Sequence, residues 1–507
     1  MKTERKYIIT LLVVAAIFYL IFSLRTAFDI QGQRYFTLVD DAMISMRYAQ
    51  HLAQGHGLVW NIGEAPVEGF TNLGWVLVMA LVHLFLFSPA VISLTVMLIA
   101  AAILSANTLV VFQIVASLDP SARFAPLIAA TVTAFYFPLV FWTLRGLEVG
   151  ALTLTISLAT LLALRTLRST PKPASVFWLT LSLSLALLIR MDALIACAFI
   201  LLYLAGKQPR IAIIPAIVTL SVFAAILLYQ KFYFGDFLPN TYYLKVNGVA
   251  AWERIRVGLL ALNNFAALDF LMPLFVVMVG LALYKNLRTR ETLLLLILFF
   301  GQIGYSVWVG GDYAENLVAS ANRFIAQGMP ALFILFALVL EWMIQSASTA
   351  QFKQGFAMVI GLGAVLVVSG QPWANWVISN APMLRTDIQR VKLGLHIKEF
   401  TDPGVVIAVH AAGQIPYFSE RTTIDLLGKS DPLIAKGLPA TDFAPGHNKW
   451  NYNYSILQLR PDLIADNFNK LAAFMEDVPE YLRLPNGIYV RRDSTRVILP
   501  GLGGDYH

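Results

Sequence analysis

Residues 36–75 read FTLVDDAMISMRYAQHLAQGHGLVWNIGEAPVEGFTNLGW and lie between two apolar segments. The stretch carries carboxylates at Asp40, Asp41, Glu64 and Glu68, although charged residues make up only 13% of the chain. Ionisable side chains beside a membrane are costly to keep there and usually serve a function. We therefore take this stretch as the loop around which the chain is organised.

The composition is that of a membrane protein. Of the 507 residues, 58% are hydrophobic, against roughly 45–50% in soluble domains, and apolar runs of bilayer-spanning length recur along the chain. The net charge is +7, but many basic residues fall in short loops between apolar runs, as the positive-inside rule predicts. Nucleic-acid binding is therefore not expected. The one cysteine, Cys197, lies in an apolar run, which leaves no disulfide framework and no cysteine-based metal site.

The first apolar run follows MKTERK and has no small-residue cleavage site before Arg25. It predicts an uncleaved membrane helix whose basic end is cytoplasmic. Further apolar spans are predicted near residues 72–87, 90–117, 124–144, 150–168, 174–190, 192–206, 211–230, 270–285, 292–309, 324–345 and 355–371. The cytoplasmic side is marked by basic turns near residues 165–172, 207–210, 285–290 and 353. The segments that this places outside are 36–71, 145–148, 190–192, 232–269, 310–323 and everything after 371.

Three predicted spans between residues 72 and 144 cannot join two outside loops. Either one of them is re-entrant or interfacial, or one contains a second helix. Residues 90–117 are longer than the roughly 20 residues that a bilayer needs. The two chain ends require an odd total of about 11 or 13 crossings.

After residue 371 the sequence changes character. Charged residues, proline and glycine become more frequent, and apolar runs shrink to strand length between turn signals. We predict an all-α membrane domain over residues 1–371, with its first external loop at about 25–71, and a small soluble α/β domain over residues 372–507.

Thr37 stands three residues before Asp40, a spacing at which its hydroxyl could cap a helix. Asp40 and Asp41 would then occupy the first turn, where the helix dipole favours negative charge. That alone could explain the two acids. Adjacent carboxylates on a helix point in different directions, however, so one could face a buried cavity while the other binds a partner or a cation.

The other outside connectors repeat this mixture of acids, bases and aromatic residues. They are TLRGLEVG (143–150) with Arg145 and Glu148, IRMDA (189–193) with Arg190 and Asp192, FYFGDFLPNTYYLKV (232–246) with Asp236, Asn240, Tyr243 and Lys245, and VGGDYAENLVASANRF (309–324) with Asp312, Glu315 and Arg323. Any one of them could be an ion pair that pins helix ends. Together they predict an outer cavity with carboxylates for acid/base or cation work and with cations for an anionic group such as phosphate.

These motifs, with AAGQIPYFSERTTIDLLGKSDP and APGHNKWNYNY of the soluble domain, resemble those of the GT-C glycosyltransferases. Within that class the sequence is similar to the terminal arabinofuranosyltransferases of mycobacterial cell-wall assembly and their Gram-negative relatives. The resemblance runs nearly end to end, and several motifs in order are more specific than the aspartate pair alone. It implies a multi-helix GT-C membrane fold, a catalytic aspartate in the first external loop, a polyprenyl-phosphate sugar as donor, and an outer domain that helps to hold the acceptor.

The resemblance assigns catalysis to Asp40 and Asp41, with Asp40 preferred as the general base or acid. Cations would stabilise the departing polyprenyl phosphate, and Arg323 is preferred because GGDY and NRF match the family pattern. Donor phosphate or sugar binding is expected of Arg145, Glu148, Arg190, Asp192, Asp236, Asn240, Tyr243, Lys245, Asp312 and Arg323. The acceptor side is expected to include Glu68, His410 and His447, although a lone histidine is more often a packed residue.

Three points stay open at this stage. A divalent cation could bridge Asp41, Glu68 or Asp312, since some GT-C enzymes use one, but no spacing here is specific for a metal. The stereochemical course of transfer is undecided. A group of aromatic residues fits either an interfacial belt or sugar stacking; it comprises Trp60, Trp75, Trp308, Tyr242 and Tyr243.

The expected protein is a multi-pass glycosyltransferase of the bacterial inner membrane, with a cytoplasmic N-terminus and a periplasmic or extracellular C-terminal domain. It would transfer a sugar, D-arabinofuranose before another pentose or hexose, from a polyprenyl phosphate to a glycan or a protein. A transporter or flippase for lipid-linked sugars is the alternative from another class, although the sequence shows no inverted repeats. A structural scaffold would leave the outer carboxylates and cations unexplained.

Overall fold

The computed structural model describes residues 2–168, 170–284, 287–313, 318, 321–345, 350–466, 468, 470–498 and 502. The helices, in chain order, are α1 (Lys2–Arg25), α2 (Asp40–Ala53), α3 (Leu73–His83), α4 (Ile92–Leu118), α5 (Ala125–Ala134), α6 (Phe137–Leu144), α7 (Val149–Arg168), α8 (Pro173–Ile189), α9 (Leu194–Lys207), α10 (Pro209–Phe234), α11 (Asn240–Val246), α12 (Ala251–Asp269), α13 (Leu271–Leu283), α14 (Arg290–Val309), α15 (Arg323–Ala326), α16 (Met329–Gln345), α17 (Ala350–Ser379), α18 (Leu384–Glu399), α19 (Gln414–Ser419), α20 (Pro432–Lys436) and α21 (Leu471–Glu476). The strands are β1 (Phe28–Ile30), β2 (Gln33–Tyr35), β3 (Val406–Val409), β4 (Thr422–Asp425), β5 (Leu463–Ile464), β6 (Tyr481–Arg483) and β7 (Tyr489–Arg491). The predicted class, apolar membrane helices with a small sheet domain near the C-terminus, is confirmed.

The chain forms two compact units, each assembled from three segments. The first unit comprises Met1–Arg25, Met97–Ile226 and Ile255–Pro382. The second comprises Thr26–Val96, Leu227–Arg254 and Met383–His507. The boundary predicted at residue 371 falls near the last of these divisions, and the second unit also takes in the first loop and the segment around the FLPN motif.

Five of the described helices are long and apolar enough to cross a bilayer; they are Arg5–Arg25, Ile92–Leu118, Val149–Arg168, Pro209–Phe234 and Arg290–Val309. Two bent pairs, α5 with α6 and α12 with α13, pass the same test when each is taken as one span. Shorter apolar helices are α3, α8 and α16. Apart from residues 72–87, each predicted apolar span coincides with one of these helices or with α9 or α17, and the total of 11 or 13 crossings stays a prediction.

The lengths of α3 and α4 bear on the parity conflict. The 11 residues of α3 measure about 16 Å at about 1.5 Å per residue, roughly half of the about 30 Å of bilayer hydrocarbon, so the span predicted at 72–87 is too short to cross. The 27 residues of α4 form one continuous helix, which excludes a second helix there. Two crossings before residue 145 would satisfy the parity, one made by α4 and one by the α5–α6 pair taken as a single span, and this count stays a prediction. That pair bends by 48° where Pro138 interrupts the hydrogen-bond ladder.

The sheet of the second unit has the strand order β4-β3-β5-β7-β6. Strand β3 lies between β4 and β5 and runs parallel to both, with Val406 opposite Thr422 and Ile407 opposite Leu463. The remaining strand pairs are antiparallel. The carboxyl ends of parallel strands lie at one edge of a sheet, which is where α/β proteins commonly bind ligands. The segments that follow β3, β4 and β5, beginning at residues 410, 426 and 465, therefore lie at that edge.

Two tryptophans of the predicted aromatic belt are buried instead. Trp60 and Trp75 are 4% and 2% exposed within the second unit. The indole of Trp60 donates to the carbonyl oxygen of Thr423 at 3.2 Å, next to the sheet. The belt prediction is wrong for these two residues, since their rings fill the core around α2. Trp308 and Tyr242 are exposed, as a belt requires.

Glu341 of α16 organises the start of α5 in the first unit. The side chain is buried, and its carboxylate accepts the backbone N–H groups of Arg123, Phe124 and Ala125 at 3.1, 2.7 and 2.8 Å. The first N–H groups of a helix have no acceptor within the helix. A carboxylate at this end also complements the helix dipole.

Replacing Glu341 with alanine should therefore destabilise the protein, by about 2–4 kcal/mol, because N–H groups at the start of α5 lose their acceptor in a buried place. Thermal unfolding in detergent measures the effect. Glu399→Ala, which removes an exposed carboxylate from α18, is the matched control. Equal unfolding temperatures for the two variants would contradict the capping role.

Candidate functional site

The first-loop helix α2 begins at Asp40, so Asp40 and Asp41 occupy its first turn as predicted. The predicted Thr37 cap is wrong. Val39 holds the N-cap position and makes no side-chain cap. The hydroxyl of Thr37 donates instead to the carbonyl oxygen of Leu38 at 3.2 Å, because it lies too early in the chain to serve the first turn.

Asp40 binds the loop that follows β3. One oxygen of its carboxylate accepts the backbone N–H groups of Gly413 and Gln414, each at 3.1 Å. The side-chain amide of Gln414 donates to the carbonyl oxygen of Leu38 at 3.0 Å and to the carboxylate of Asp387 at 2.7 Å. Only 12% of the Asp40 side chain is exposed. The AAGQ motif and the first-loop helix are thus parts of one hydrogen-bonded junction.

Gly413 is the position where this junction leaves no room for a side chain. A Cβ atom there would lie 1.9 Å from the carbonyl oxygen of Asp40 and 2.7 Å from its Oδ1. Both distances are far below van der Waals contact. The backbone of the loop can therefore approach Asp40 only with glycine at this position.

Asp41 faces the loop that follows β4. Its Oδ1 lies 2.6 Å from the ammonium of Lys429, with 37% of the Asp41 side chain and 13% of the Lys429 side chain exposed. Burial lowers the pKa of Lys429, but the carboxylates of Asp41 and Asp40 outweigh it and raise that pKa, so the ammonium stays charged. The two first-turn acids therefore differ: Asp40 is enclosed, and Asp41 is open to solvent beside a buried cation.

The DLLGKS loop that carries Lys429 is held from two directions. The buried carboxylate of Asp425 accepts the N–H groups of Leu427, Gly428 and Ser430 at 3.0, 3.1 and 2.7 Å. The side-chain amide of Asn240, from the FLPN motif, donates to the carbonyl oxygens of Gly428 and Lys429 at 2.8 and 3.0 Å. Asn240 thus acts on the position of Lys429 through the backbone.

Arg390 of α18 is a site residue that the sequence reasoning missed. Its Nη1 lies 4.0 Å from Oδ1 of Asp40. Burial lowers the pKa of Arg390, but the carboxylates of Asp40, Asp387 and Asp466 raise it overall. Burial raises the pKa of Asp40, and the charge of Arg390 opposes that rise. In the sequence, Arg390 is one of several charged residues on a polar helix, and nothing there distinguishes it.

His410 is fixed at the end of β3. Its Nδ1 lies 3.2 Å from Oδ1 of Asp466 and its Nε2 lies 3.2 Å from the hydroxyl of Tyr452. The backbone N–H groups of His410 and Ala411 also donate to Asp466, at 2.7 and 2.9 Å. Burial raises the pKa of Asp466, but these hydrogen bonds and the charge of His410 lower it overall. Asp466 thus stays ionised at the same sheet edge.

His447 is a neutral imidazole in the same part of the second unit. Its pKa is lowered to about 3, chiefly by burial and also by the charge of Lys429, while the carboxylate of Asp41 acts in the opposite direction. Its Nδ1 donates to the carbonyl oxygen of Pro445 at 3.0 Å. The charge of Lys245 also acts on this ring. The structure thus brings Asp41, His447 and Lys245 into one electrostatic environment.

The remaining predicted residues of the second unit have mainly structural contacts. Asp236 pairs with Lys436 at 2.6 Å, both partly exposed. The backbone oxygen of Tyr243 accepts from Lys449 at 3.1 Å. Glu68 is buried, and its Oε1 accepts from the amide of Gln230 at 3.0 Å. Burial raises the pKa of Glu68 to about 8, so this carboxyl is protonated at neutral pH.

In the first unit, the predicted charges form two ion-pair groups. Arg190 lies 2.7 Å from Oε1 of Glu148 and 2.8 Å from Oδ1 of Asp192, and all three are buried or nearly so. Arg323 lies 3.2 Å from Oδ2 of Asp312. Arg145 is fully buried. Glu315 lies outside the described residues.

The local sequence explains the second group. Gly310 and Gly311 end α14 with a left-handed backbone, at φ values of 92° and 82°. Asp312 follows directly after this turn. Asn322 caps α15 by accepting the N–H groups of Phe324 and Ile325 at 2.9 and 3.0 Å. The GGDY and NRF motifs are thus a helix end and a helix start. One cavity shared by all the predicted residues stays a prediction.

A metal site is not supported by the described residues. Within them, no group of three or more His, Cys, Asp or Glu side chains could hold a metal ion. Each acid proposed to bridge a cation is engaged elsewhere: Asp41 with Lys429, Glu68 with Gln230, and Asp312 with Arg323.

Comparisons with known proteins agree with a GT-C glycosyltransferase fold. A family model described as a domain of unknown function (DUF8728) matches residues 381–497. No curated protein sequence matches the chain. The oligosaccharyltransferase AglB of the archaeon Archaeoglobus fulgidus, in complex with an inhibitory peptide and a dolichol-phosphate, is similar with a TM-score of 0.57 and 13% identity over 83% of this chain. The chain spans 64% of the length of that protein.

ArnT from Cupriavidus metallidurans is also similar. The apo structure gives a TM-score of 0.55 at 10% identity, covering 83% of this chain and 86% of ArnT. The structure bound to undecaprenyl phosphate gives a TM-score of 0.50 at 11% identity, covering 84% and 86%. At such identities the likeness concerns the fold, and the expected GT-C architecture is confirmed.

Gly413→Ala should break the junction between α2 and the loop after β3, because the added methyl group would overlap the backbone of Asp40. We expect a fall of several degrees in unfolding temperature and faster proteolysis between residues 26 and 96. Gly404→Ala is the matched control, since no atom lies closer than 3.9 Å to a Cβ at that position. A Gly413→Ala protein as stable as Gly404→Ala would contradict the close approach.

Glu68 should make stability depend on pH. Its pKa rises from 4.5 to about 8 on folding, so the folded protein keeps a proton that the unfolded chain releases. The favourable contribution of Glu68 to the free energy of unfolding is therefore present at low pH and is lost as the pH rises through about 8. Glu68→Gln should be more stable than the unchanged protein at pH 9 and lose that advantage near pH 5.

Thermal unfolding across this pH range measures the difference between the two proteins. Glu480→Gln, at an exposed carboxylate, should keep the pH profile of the unchanged protein. A difference between Glu68→Gln and the unchanged protein that stays constant from pH 5 to pH 9 would show that Glu68 is not buried as a neutral acid.

Proposed function

We propose that this protein is a membrane glycosyltransferase that takes a sugar from a polyprenyl phosphate. The observation that carries the proposal is the pair formed by the solvent-accessible Asp41 and the buried Lys429 near the carboxyl edge of the parallel strands. A carboxylate can remove a proton from an acceptor hydroxyl, and an adjacent cation can stabilise a departing phosphate. The GT-C fold and the lipid phosphates bound by AglB and ArnT support this assignment.

The two first-turn acids have separate roles in this proposal. The carboxylate of Asp40 is committed to the N–H groups of Gly413 and Gln414 and is enclosed. Asp41 is three times as exposed, at 37% against 12% of the side chain. We therefore assign acid/base chemistry to Asp41, in place of the Asp40 preferred from the sequence, and assign Asp40 to positioning.

The leaving group determines what the cations must do. A polyprenyl phosphate leaves as a phosphate monoester that is already stable as an anion, so it needs electrostatic stabilisation more than a strong acid. Lys429 can supply this charge once phosphate oxygens replace the carboxylate of Asp41 as its partner. Proposed donor-binding residues in the first unit remain Arg145, Glu148, Arg190, Asp192, Asp312 and Arg323; in the second unit they are Asp236, Asn240, Tyr243 and Lys245.

The proposal extends to the sugar and to the acceptor. The sequence motifs favour D-arabinofuranose as the sugar and a glycan or a protein as the acceptor. Glu68, His410 and His447 are assigned to the acceptor side, with the imidazoles nearest the carboxyl edge of the sheet and the buried Glu68 in a supporting position. The proposed location is the outer face of a bacterial inner membrane, with the N-terminus in the cytoplasm.

Asp41→Asn should lower sugar transfer by about 10²- to 10⁴-fold, because the amide cannot accept the acceptor proton. The assay uses purified full-length protein, polyprenyl-phosphoryl D-arabinofuranose and candidate acceptors. Asp442→Asn, at an exposed carboxylate of the same unit, should keep full activity. Asp40→Asn should lose both activity and thermal stability, since its carboxylate holds the junction.

Sugar transfer that survives in a stably folded Asp41→Asn protein would show that the proposed base is wrong. A protein that transfers only another pentose or a hexose would refute arabinofuranose while leaving the class of enzyme in place. Absence of transfer from every polyprenyl-phosphate sugar, with the fold intact, would refute the class itself.

A further inference from the structure

A cavity in the first unit lies among the ends of three helices, away from every residue discussed for sugar transfer. Its volume is ≈ 180 Å³, well above the about 10–15 Å³ that one buried water molecule needs on the same measure. The helices that meet here are α7 and α9 at their last turns and α14 at its first. The lining residues are Leu164, Leu167, Arg168, Tyr203, Lys207, Gln208 and Glu291.

The polar side of this cavity has more positive than negative charge. Lys207 and Arg168 face one carboxylate, that of Glu291. The ammonium of Lys207 lies 3.2 Å from Oε1 of Glu291, and the hydroxyl of Tyr203 donates to the same oxygen at 2.8 Å. Arg168 donates one N–H to the carbonyl oxygen of Leu118 at 3.2 Å. Two cations against one acid favour an anion over a cation as the ligand.

The surroundings favour an anion that belongs to a lipid. Leu164 and Leu167 line the same cavity, so its wall is apolar on one side. Phe177 and Trp178 near the start of α8 are 59% and 56% exposed, as aromatic residues are at a membrane interface. Basic pockets between membrane helices at this level commonly hold lipid headgroups.

The neighbouring turns add further positive charge at this end of the unit. The turn between α7 and α8 carries Lys172, and α10 begins with Pro209 and Arg210. Arg290, at the first position of α14, donates to the carbonyl oxygen of Gly206 at 2.7 Å. These are the turns that the positive-inside rule assigns to the cytoplasm. An anionic lipid of that leaflet would meet mostly positive charge.

We propose that this cavity binds the phosphate of an anionic phospholipid, with Arg168 and Lys207 as its ligands. Leu164 and Leu167 would contact the glycerol and the first acyl carbons. Glu291 keeps Lys207 in place when no lipid is bound and competes with the phosphate for it. The site is separate from the proposed transfer chemistry, so either proposal can fail alone.

Native mass spectrometry of the full-length protein in detergent, titrated with phosphatidylglycerol, tests the proposal. The double variant Arg168→Gln with Lys207→Gln should bind this lipid about tenfold or more weakly, because two charge-assisted contacts are lost. The matched control removes two charges at the same end but outside the cavity, as Lys172→Gln with Arg210→Gln. Because these two charges add to the local potential without contacting the phosphate, this control should weaken binding by less than about twofold.

The variant Glu291→Gln should change the affinity for phosphatidylglycerol in the opposite direction. Freed from its carboxylate, Lys207 should hold the phosphate more tightly, and phosphatidylglycerol affinity should rise several-fold. A loss of affinity in this variant would overturn the proposal, as would equal weakening in both double variants. Two ligand controls separate the sources of phosphate. Phosphatidylcholine bound as tightly as phosphatidylglycerol, or inorganic phosphate that displaces the lipid at equal concentration, would also overturn it.

Discussion

A buried carboxylate at the start of α2 accepts backbone N–H groups from a segment 373 residues further along the chain. This contact between Asp40 and Gly413 fixes the first loop against the carboxyl edge of the sheet. It has an energetic cost, because burial disfavours the charged form of Asp40. The N–H groups and the nearby Arg390 offset that cost. With Asp40 held in this way, the next residue of the helix reaches the ammonium of Lys429.

In the proposed reaction, the pairing of Asp41 with Lys429 neutralises both charges until the donor binds. An unoccupied site keeps its buried cation neutralised by an exposed acid, so neither charge is left uncompensated. A phosphate that binds the ammonium takes the place of the acid. The carboxylate of Asp41 is then released from its ion pair when the donor is present, which leaves it available to an acceptor hydroxyl. Binding of the donor would thereby prepare the base.

The sequence predicts the membrane helices well because hydrocarbon demands long apolar runs whatever their partners are. Local signals also place Asp40 and Asp41 in a first helical turn. Hydropathy is misleading at residues 72–87, where the composition suits a membrane span but the helix α3 has only 11 residues. It cannot find Arg390 or Lys429, whose roles come from residues hundreds of positions away. It also cannot separate Asp40 from Asp41, since their difference is one of burial, which only the packing of the second unit decides.

Lys207 and Lys429 have the same arrangement in the two proposed sites. Each lysine is neutralised by a carboxylate within 3.2 Å, at Glu291 and Asp41. At the sheet edge the acid is the more exposed partner and can turn to a substrate hydroxyl. In the helix-end cavity the acid is the less exposed partner, at 21% against 35%, and a tyrosine hydroxyl holds it. In the proposed lipid site, the acid that is fixed in this way sets how tightly Lys207 can bind an anion.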